Sequence, residues 1–266
     1  TIVLDAQPTS DVVLTITSDD TGEATVPASV AFTAADWDTP QTITVTGADD
    51  SIIDGTITST ITIAVDDANS DDDFDAIADQ TVSVDILDDD TAGFTIEETD
   101  GSTEVDESGT TDTFTIVLDA QPTNDVVVLA TASNDETEAT VSGSITFTSE
   151  NWDTPQTVTV TGVDDDLVDG DQTYDITISI VDTISDDEFD SVADQSISST
   201  TIDDDAPGFT IEETDTATEV DESGTTDTFT VVLDAQPTSD VVLTITSDDT
   251  GEATVNSPLT FTPVNW

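Results

Sequence analysis

The chain has 266 residues, of which 62 are Asp or Glu and none is Lys, Arg or His, so its formal net charge is −62. It therefore lacks the cationic side chains that bind nucleic acids or anionic membranes. It also has no Cys or His to form a zinc site. No apolar run approaches the roughly 18 residues that span a bilayer. High charge is also typical of disorder, but a hydrophobic content of 35% and regular strand patterns favour a folded protein.

Internal repetition organises the chain. "TIVLDAQPTSDVV" begins at Thr1 and near-copies begin at Thr115 and Thr230, while "GFTIEETD" begins at Gly93 and again at Gly208, which gives a period of 115 residues. A repeated unit of this kind indicates tandem domains. We predict an incomplete unit at 1–92 without its opening strands, a complete unit at 93–207, and an incomplete unit at 208–266 without its second half. Because half a sandwich would expose its core and a sheet edge, we expect a longer tandem array.

Within the complete unit, apolar and polar residues alternate with a period of two, which predicts β-strands. Tyr174, Ile176, Ile178 and Ile180, for example, alternate with polar residues. The expected strands are A (94–98, continuing past residue 107), B (113–119), C (125–132), D (138–141 and 144–148), E (156–162), F (173–181) and G (195–202). Each has one apolar and one polar face, as in antiparallel sheets with one wet side. The fold class is therefore all-β, with Ig-like Greek-key β-sandwiches arranged end to end.

Strand order also predicts where the acids lie. If strand A finishes at one pole of the sandwich, then the A–B turn, the C–D loop, the E–F loop and the end of strand G all meet at that pole. Those four places carry acidic residues: Glu107; Asp135; Asp164, Asp165, Asp169 and Asp171; Asp203, Asp204 and Asp205. Ca²⁺ takes roughly 6–8 oxygen ligands in flexible geometry, which converging carboxylates supply. The alternative is that these acidic runs are solvated turns.

The motifs "VDESGTTDTFTIVLDA", "TFTSENWDTPQTVTVTGVDDD", "DGDQTY" and "TIDDD" together resemble a Calx-β domain, and more narrowly the tandem Calx-β-like repeats of large bacterial surface proteins. The resemblance implies that the early glutamate, the E–F acids and the terminal aspartates ligate calcium. Two departures are that the E–F loop ends with Asp where the family usually has Glu, and that Thr56 replaces the acid corresponding to Asp171. Besides the complete unit's acids, the implied ligands are Asp49, Asp50, Asp54, Asp88, Asp89 and Asp90 in the first unit and Glu222 in the third.

These patterns favour an extracellular structural or adhesive role, in which bound calcium stiffens a rod, stalk, surface layer or filament. The expected partners are neighbouring repeats of the same chain, and self-assembly into fibres is also open. A calcium-sensing Calx-β module is one alternative and a carbohydrate-binding adhesion module is another, because Trp37, Trp152 and Trp266 recur in one slot. We expect no enzyme, since no His, Lys or Cys is present to act as base or nucleophile.

Overall fold

The computed structural model describes residues 1–133 and 137–266 as an all-β protein. Four single turns of 3-10 helix, at Asp67–Asn69, Asp72–Phe74, Asp182–Ile184 and Asp187–Phe189, are the only helical segments among these residues. The strands are β1 (Val12–Ser18), β2 (Ala24–Thr25), β3 (Ser29–Phe32), β4 (Thr46–Gly47), β5 (Ile57–Val65), β6 (Gln80–Ile86), β7 (Phe94–Glu98), β8 (Thr103–Asp106), β9 (Thr111–Leu118), β10 (Val126–Ala132), β11 (Ala139–Val141), β12 (Ile145–Phe147), β13 (Gln156–Gly162), β14 (Gln172–Ile180), β15 (Gln195–Ile202), β16 (Phe209–Glu213), β17 (Phe229–Leu233), β18 (Val241–Leu243) and β19 (Leu259–Phe261). The predicted fold class is confirmed.

The chain divides into two compact units. The first comprises Thr1–Gly93 with Leu118–Asp125 and Thr148–Asp153, and the second comprises Phe94–Val117, Val126–Phe147 and Thr154–Trp266. The second unit contains a complete sandwich, with one sheet in the order β12-β10-β14-β15-β8 and the other in the order β11-β13-β9-β7. Its core residues, including Phe114, Val158 and Ile176, are each no more than 1% exposed. They come from the apolar faces that the two-residue period predicts.

Strands A and D of the sequence prediction each divide between the two sheets. The chain bends at residues 99–102, where Gly101 has φ +84, so that β7 lies in one sheet and β8 in the other. In the same way β11 and β12 belong to different sheets. The predicted continuation of strand A past residue 107 is therefore wrong: β8 ends at Asp106 and Glu107 lies in the following turn. The division matters because it places β8 parallel to β15, with Ile202 opposite Asp106.

The first unit has its own sheet, in the order β3-β1-β5-β6, and a short β2–β4 pair. Val12, Leu14, Phe32 and Phe74 form a buried cluster, and Ile2, Leu4, Val30, Ile63 and Val65 pack partly buried against it. In residues 208–266 only the pairs β16–β17 and β18–β19 form. Phe209 is 52% exposed there, whereas Phe94 at the same repeat position is 3% exposed. Residues 208–266 contain no counterpart of β13, β14 or β15.

Asp71 and Asp186 are buried aspartates that organise the 3-10 turns of the two units. Asp71 is 5% exposed and accepts hydrogen bonds from the Thr9 and Ser10 backbone N–H groups, at 2.6 and 2.9 Å, and from the Thr9 hydroxyl at 2.8 Å. Its other oxygen accepts from Asp73 N–H at 3.1 Å. Asp186 accepts likewise from Glu188 N–H at 3.2 Å. Donors that favour the ionised form lower a carboxyl pKa. The Ser10 N–H first, and then the Thr9 hydroxyl, lower the pKa of Asp71 to about 2.

Replacement of Asp71 by Asn is expected to destabilise the first unit at pH 7. Because the folded pKa lies below the usual value of 3.8, the ionised carboxylate contributes stability that is present above pH 4 and is lost as the pH falls towards 2. Urea denaturation at a series of pH values should therefore show a smaller decrease in the free energy of unfolding between pH 4 and pH 2 for Asp71→Asn than for the parent. Asp72→Asn, at an exposed position next to it, is the matched control; equal behaviour of the two variants would contradict this account.

Gly162 ends β13 against the backbone of the β8–β9 turn. A Cβ at this position would lie 2.1 Å from the Asp106 carbonyl oxygen, so only glycine permits the approach, and its N–H donates to the Thr110 carbonyl at 3.0 Å. Gly47 holds the same repeat position in the first unit, but a Cβ there would meet only Ile86 Cγ2 at 3.9 Å. The two glycines therefore differ in steric demand although their sequence context is shared.

Gly162→Ala is expected to lower the free energy of unfolding by about 1–3 kcal/mol, because the backbone must shift to admit the methyl group. Gly47→Ala is expected to have a much smaller effect, since 3.9 Å is an ordinary van der Waals distance. Chemical denaturation of both variants measures the difference. An equal decrease in the free energy of unfolding in both variants would show that the close approach to the Asp106 carbonyl is not the reason for the effect of Gly162→Ala.

Candidate metal site

The centre of the candidate site is Glu107, in the tight turn between β8 and β9. Gly109 closes the turn with φ +89, a conformation that costs glycine little. Asp106 N–H donates to the Thr110 hydroxyl at 2.7 Å, and Glu107 N–H donates to the Ile202 carbonyl at 3.1 Å. The side chain of Glu107 is 1% exposed and its Oε2 has no hydrogen-bond partner. A buried carboxylate oxygen without a partner is costly unless something else compensates its charge.

Asp203 and Asp205 reach Glu107 because β15 runs beside β8. The segment that follows β15 turns through an aspartate-capped bend, in which Asp205 N–H donates to Asp203 Oδ1 at 2.8 Å, and Gly170 N–H donates to Asp203 Oδ2 at 2.7 Å. Carboxylate oxygens of Glu107, Asp203 and Asp205 lie within 4.8 Å of one another. The Oδ2 of Asp205 is also buried without a partner. Three carboxylates at this separation form an arrangement that can hold a metal ion.

Glu138 was not among the predicted ligands, but its carboxylate is close enough to contribute to the raised pKa of Glu107. It precedes β11, and its carbonyl accepts from Val163 N–H at 2.8 Å and from the Thr201 hydroxyl at 3.3 Å. Its Oε2 is buried without a hydrogen-bond partner. A sequence feature that could have identified Glu138 is its recurrence, since "EATV" appears in all three repeats, beginning at Glu23, Glu138 and Glu252. Asp135, the predicted ligand of the same loop, lies outside the described residues.

Burial and neighbouring carboxylates raise the pKa of three carboxyl groups of the site, those of Glu107, Glu138 and Asp205. Burial, followed by the charges of Asp165, Asp203, Glu138 and Asp169, raises the pKa of Glu107 to about 7. Burial, followed by Asp169 and Asp165, raises the pKa of Glu138, and burial, followed by Asp203 and Asp166, raises that of Asp205. Since 93–207 contains no Lys, Arg or His, no cationic side chain of the sandwich offsets this repulsion. A divalent cation would do so directly.

Asp165 and Asp169 lie on the E–F loop between β13 and β14. Leu167 N–H donates to Asp165 Oδ1 at 2.7 Å, which fixes that carboxylate. The loop is also held by the turn at Gln236, whose N–H donates to the Asp166 carbonyl at 2.6 Å and which forms a parallel bridge with Leu167. Asp165 is partly buried, whereas Asp169 and the other predicted ligands Asp164, Asp171 and Asp204 are exposed. Asp171 accepts from Asp203 N–H at 3.4 Å, so it supports a member of the cluster.

The first unit repeats much of this arrangement. Its predicted ligands Asp49, Asp50, Asp54, Asp88, Asp89 and Asp90 line one pocket together with Glu23. Asp88 accepts from Gly55 N–H at 2.8 Å and from Asp90 N–H at 2.8 Å, and these donors lower its pKa. Burial and neighbouring carboxylates raise the pKa of Glu23, Asp54 and Asp90. Residues 1–92 include no counterpart of Glu107.

Glu222 is the counterpart of Glu107 in residues 208–266. Its turn has the same internal bonds, since Asp221 N–H donates to the Thr225 hydroxyl at 2.8 Å and Gly224 has φ +89. Glu222 itself is exposed. The side chain is therefore presented on the same turn without the carboxylates that surround Glu107.

Comparison with known proteins identifies only distant structural likenesses. No family model matches the chain, and neither does any curated protein. Domains 4 and 5 of the S-layer protein SbsC align with a TM-score of 0.34 and 18% identity over 71% of this chain and 70% of that one. The CBD12 fragment of CALX1.2 aligns with a TM-score of 0.27 and 14% identity over 66% and 71%. The E. coli chaperone DraB aligns with a TM-score of 0.31 and 9% identity over 45% and 59%. These likenesses are to β-rich domains and carry no argument about function.

None of the described residues belongs to a helix with the length and apolar character that a bilayer crossing requires.

The recurring tryptophans lie in loops: Trp37 and Trp152 are partly buried, and their carbonyls accept from Leu4 and Leu118 N–H at 3.2 and 3.1 Å. Each hydrogen bond thus joins the loop that contains the tryptophan to the segment that contains Leu4 or Leu118.

Proposed function

We propose that the chain is a calcium-binding structural repeat protein. The observation that carries the proposal is the Glu107 carboxylate: it is 1% exposed, its Oε2 has no hydrogen-bond partner, and carboxylate oxygens of Asp203 and Asp205 lie within 4.8 Å of it. Folding brings these like charges together without a basic residue anywhere in the chain. A bound cation compensates both the burial and the repulsion.

The chemistry of the donors favours calcium over other metals. All the candidate ligands are carboxylates, and the chain contains no His or Cys, which zinc and copper would prefer. Calcium accepts roughly 6–8 oxygens in flexible geometry, whereas magnesium requires a nearly ideal octahedron and retains its waters. Glu107, Glu138, Asp165, Asp169, Asp203 and Asp205 offer enough oxygens for the larger ion. Calcium bound here would compensate the charge of the carboxylates and cross-link the loops that carry them.

Repetition and charge support a structural role outside the cell. The same acidic loops recur at a period of 115 residues, which suits a repeated spacer better than a single active site. Calcium at the pole of each sandwich would stiffen successive repeats into a stalk, surface layer or filament. Weak sites suffice in calcium-rich surroundings, whereas a cytosolic sensor needs micromolar or tighter binding. We propose no catalytic activity, because the chain has no His, Lys or Cys and the same acidic loops recur from unit to unit.

Isothermal titration of the metal-stripped chain with CaCl₂, supported by elemental analysis, tests this proposal. Glu107→Gln keeps the shape of the side chain and removes its charge, so it is expected to abolish the binding event of the complete sandwich. Glu104→Gln is the matched control, because Glu104 lies three residues earlier and is exposed. If the parent chain took up no calcium at millimolar concentration, or if Glu107→Gln bound as the parent does, the proposal would be wrong.

A further inference from the structure

Three buried hydroxyl groups form a connected network at the end of the complete sandwich that carries the candidate metal site. Tyr174, in β14, is 7% exposed, and Ser199 and Thr201, in β15, are 1% and 0% exposed. The Ser199 hydroxyl donates to Tyr174 Oη at 3.1 Å, and the Tyr174 and Thr201 hydroxyl oxygens lie 3.2 Å apart. Because a buried hydroxyl is costly unless it is hydrogen-bonded, these three residues depend on one another.

The hydroxyl network ends at the backbone of Glu138. Thr201 Oγ1 lies 3.3 Å from the Glu138 carbonyl oxygen, which also accepts from Val163 N–H at 2.8 Å. Since a carbonyl oxygen can only accept, the Thr201 proton is directed to it, and the Tyr174 hydroxyl donates to Thr201. The Glu138 peptide is thereby held from two sides, by the residue that follows β13 and by β15.

The anchored residue carries one of the carboxylates of the candidate metal site. Glu138 Oε2 is buried without a hydrogen-bond partner, and the charge of Glu138 contributes to the raised pKa of Glu107. On β15, Thr201 and Asp203 are two residues apart and therefore share one face of the strand, and Asp203 belongs to the carboxylate cluster around Glu107. One strand face thus supplies a carboxylate and also the hydroxyl that fixes the backbone of another.

The first repeat lacks this second anchor of the glutamate carbonyl. The residues 115 positions before Tyr174, Ser199 and Thr201 are Ser59, Val84 and Ile86. Glu23 keeps the position of Glu138, and its carbonyl accepts from Ala48 N–H at 2.8 Å, but Ile86 has no hydroxyl to donate to it. Ser59 keeps a hydroxyl, which donates instead to Asp19 Oδ1 at 2.9 Å. The doubly held carbonyl is therefore specific to the complete unit.

We propose that Thr201, oriented by Tyr174, is a positioning residue that fixes Glu138 as a calcium ligand of the complete sandwich. Groups that orient the ligands of a metal typically change its affinity by about 10- to 100-fold when they are removed. The calcium part of this inference rests on the proposed function, whereas the anchorage of the Glu138 peptide does not. The calcium affinity of a repeat then depends on buried hydroxyls that do not themselves bind the ion.

Isothermal titration of metal-stripped chains with CaCl₂ tests the calcium part. Thr201→Val is expected to weaken the binding event that Glu107→Gln removes by about 10-fold, Thr201→Ser to restore the parental affinity, and Tyr174→Phe to weaken binding in the same direction as Thr201→Val. Thr200→Val, on the opposite face of β15, is the matched control. Parental affinity in Thr201→Val, or an equal loss in Thr200→Val, would overturn the role of Thr201. Parental affinity in Tyr174→Phe would overturn the orienting role of Tyr174.

A double-mutant cycle separates positioning from a general effect on the fold. If Thr201 acts through Glu138, Thr201→Val should leave the calcium affinity of a Glu138→Ala chain unchanged, because the ligand that it positions has already been removed. A further loss of about 10-fold in the double variant would show that Thr201 acts on the sandwich as a whole, and the proposal would then be wrong.

Amide hydrogen exchange in chelator tests the anchorage without calcium. Thr201→Val removes one of the two hydrogen bonds at the Glu138 carbonyl, so the Val163 N–H that shares this carbonyl should exchange roughly 2- to 10-fold faster. Thr200→Val should keep the parental rate, and unchanged exchange in Thr201→Val would contradict the anchorage. If the parent chain bound no calcium, the titration would reject the proposed function, while this exchange rate would still decide whether Thr201 holds Glu138.

Discussion

Calcium is expected to raise the melting temperature of the metal-stripped chain by about 10 °C. A ligand that binds only the folded state stabilises it by about 2.7 kcal/mol at 100 times its dissociation constant, and for a domain near 115 residues this corresponds to a shift of that order. The physical reason is the convergence of Glu107, Asp203 and Asp205, which repel one another in the folded chain and are far apart in the unfolded one. Calorimetry with CaCl₂ and with chelator measures the shift.

Salt provides the control for this experiment, because a chain with a charge of −62 is stabilised by screening alone. Sodium chloride at matched ionic strength should reproduce only part of the calcium effect, and magnesium should fall between the two. If sodium chloride gave the whole shift, the acidic loops would be solvated turns and not a metal site. Solution scattering under the same conditions tests whether calcium also makes the chain more extended, as the proposed structural role requires.

Glu107→Gln is expected to change stability in opposite directions with and without calcium. In chelator at pH 8 the variant should be more stable than the parent by between about 1 and 3 kcal/mol, since it removes a buried charge whose pKa is about 7; the range allows for screening by solvent. In calcium the variant should be less stable, because a ligand is lost. Denaturant titration in the two buffers measures both signs.

The difference in stability between Glu107→Gln and the parent in chelator should depend on pH, because the pKa of Glu107 is raised. The folded pKa of Glu107, about 7, lies above its usual value of 4.5, so ionisation opposes folding. The penalty is fully present above pH 7 and is relieved as the pH falls towards 4.5. The advantage of Glu107→Gln should therefore shrink between pH 8 and pH 5. Glu104→Gln, on the exposed face of β8, should show neither the reversal with calcium nor this pH dependence; if it did, a general effect of net charge would be responsible.

The strands of the complete unit were predictable because local alternation and local propensity act through neighbouring residues. β10, β13, β14 and β15 fall within two residues of the expected bounds, and the apolar faces read from the sequence are the ones that are buried. The exceptions are strands A and D. A two-residue period records which side chains share a face, but it does not record which of two sheets a strand joins after a bend, as at Gly101.

The candidate site was predictable only in part, for a different reason. Strand order alone indicated that Glu107 and residues 203–205 would approach each other, because antiparallel connections return the chain to one pole. The convergence of Glu107, Asp203 and Asp205, as against the exposed positions of Asp164, Asp171 and Asp204, depends on side-chain direction at the ends of strands. Glu138 was missed because its position depends on hydrogen bonds to its carbonyl from Val163, just after β13, and from Thr201 of β15, which the alternation of residues along one strand does not encode.

The sequence by itself determined the strand content, the repeat and the absence of any internal cation, since these depend on residue identity and on short-range order along the chain. Tertiary structure decided which carboxylates are buried together without hydrogen-bond partners. These groups are distant in sequence and adjacent in space, so the cluster arises only when β8 and β15 lie side by side.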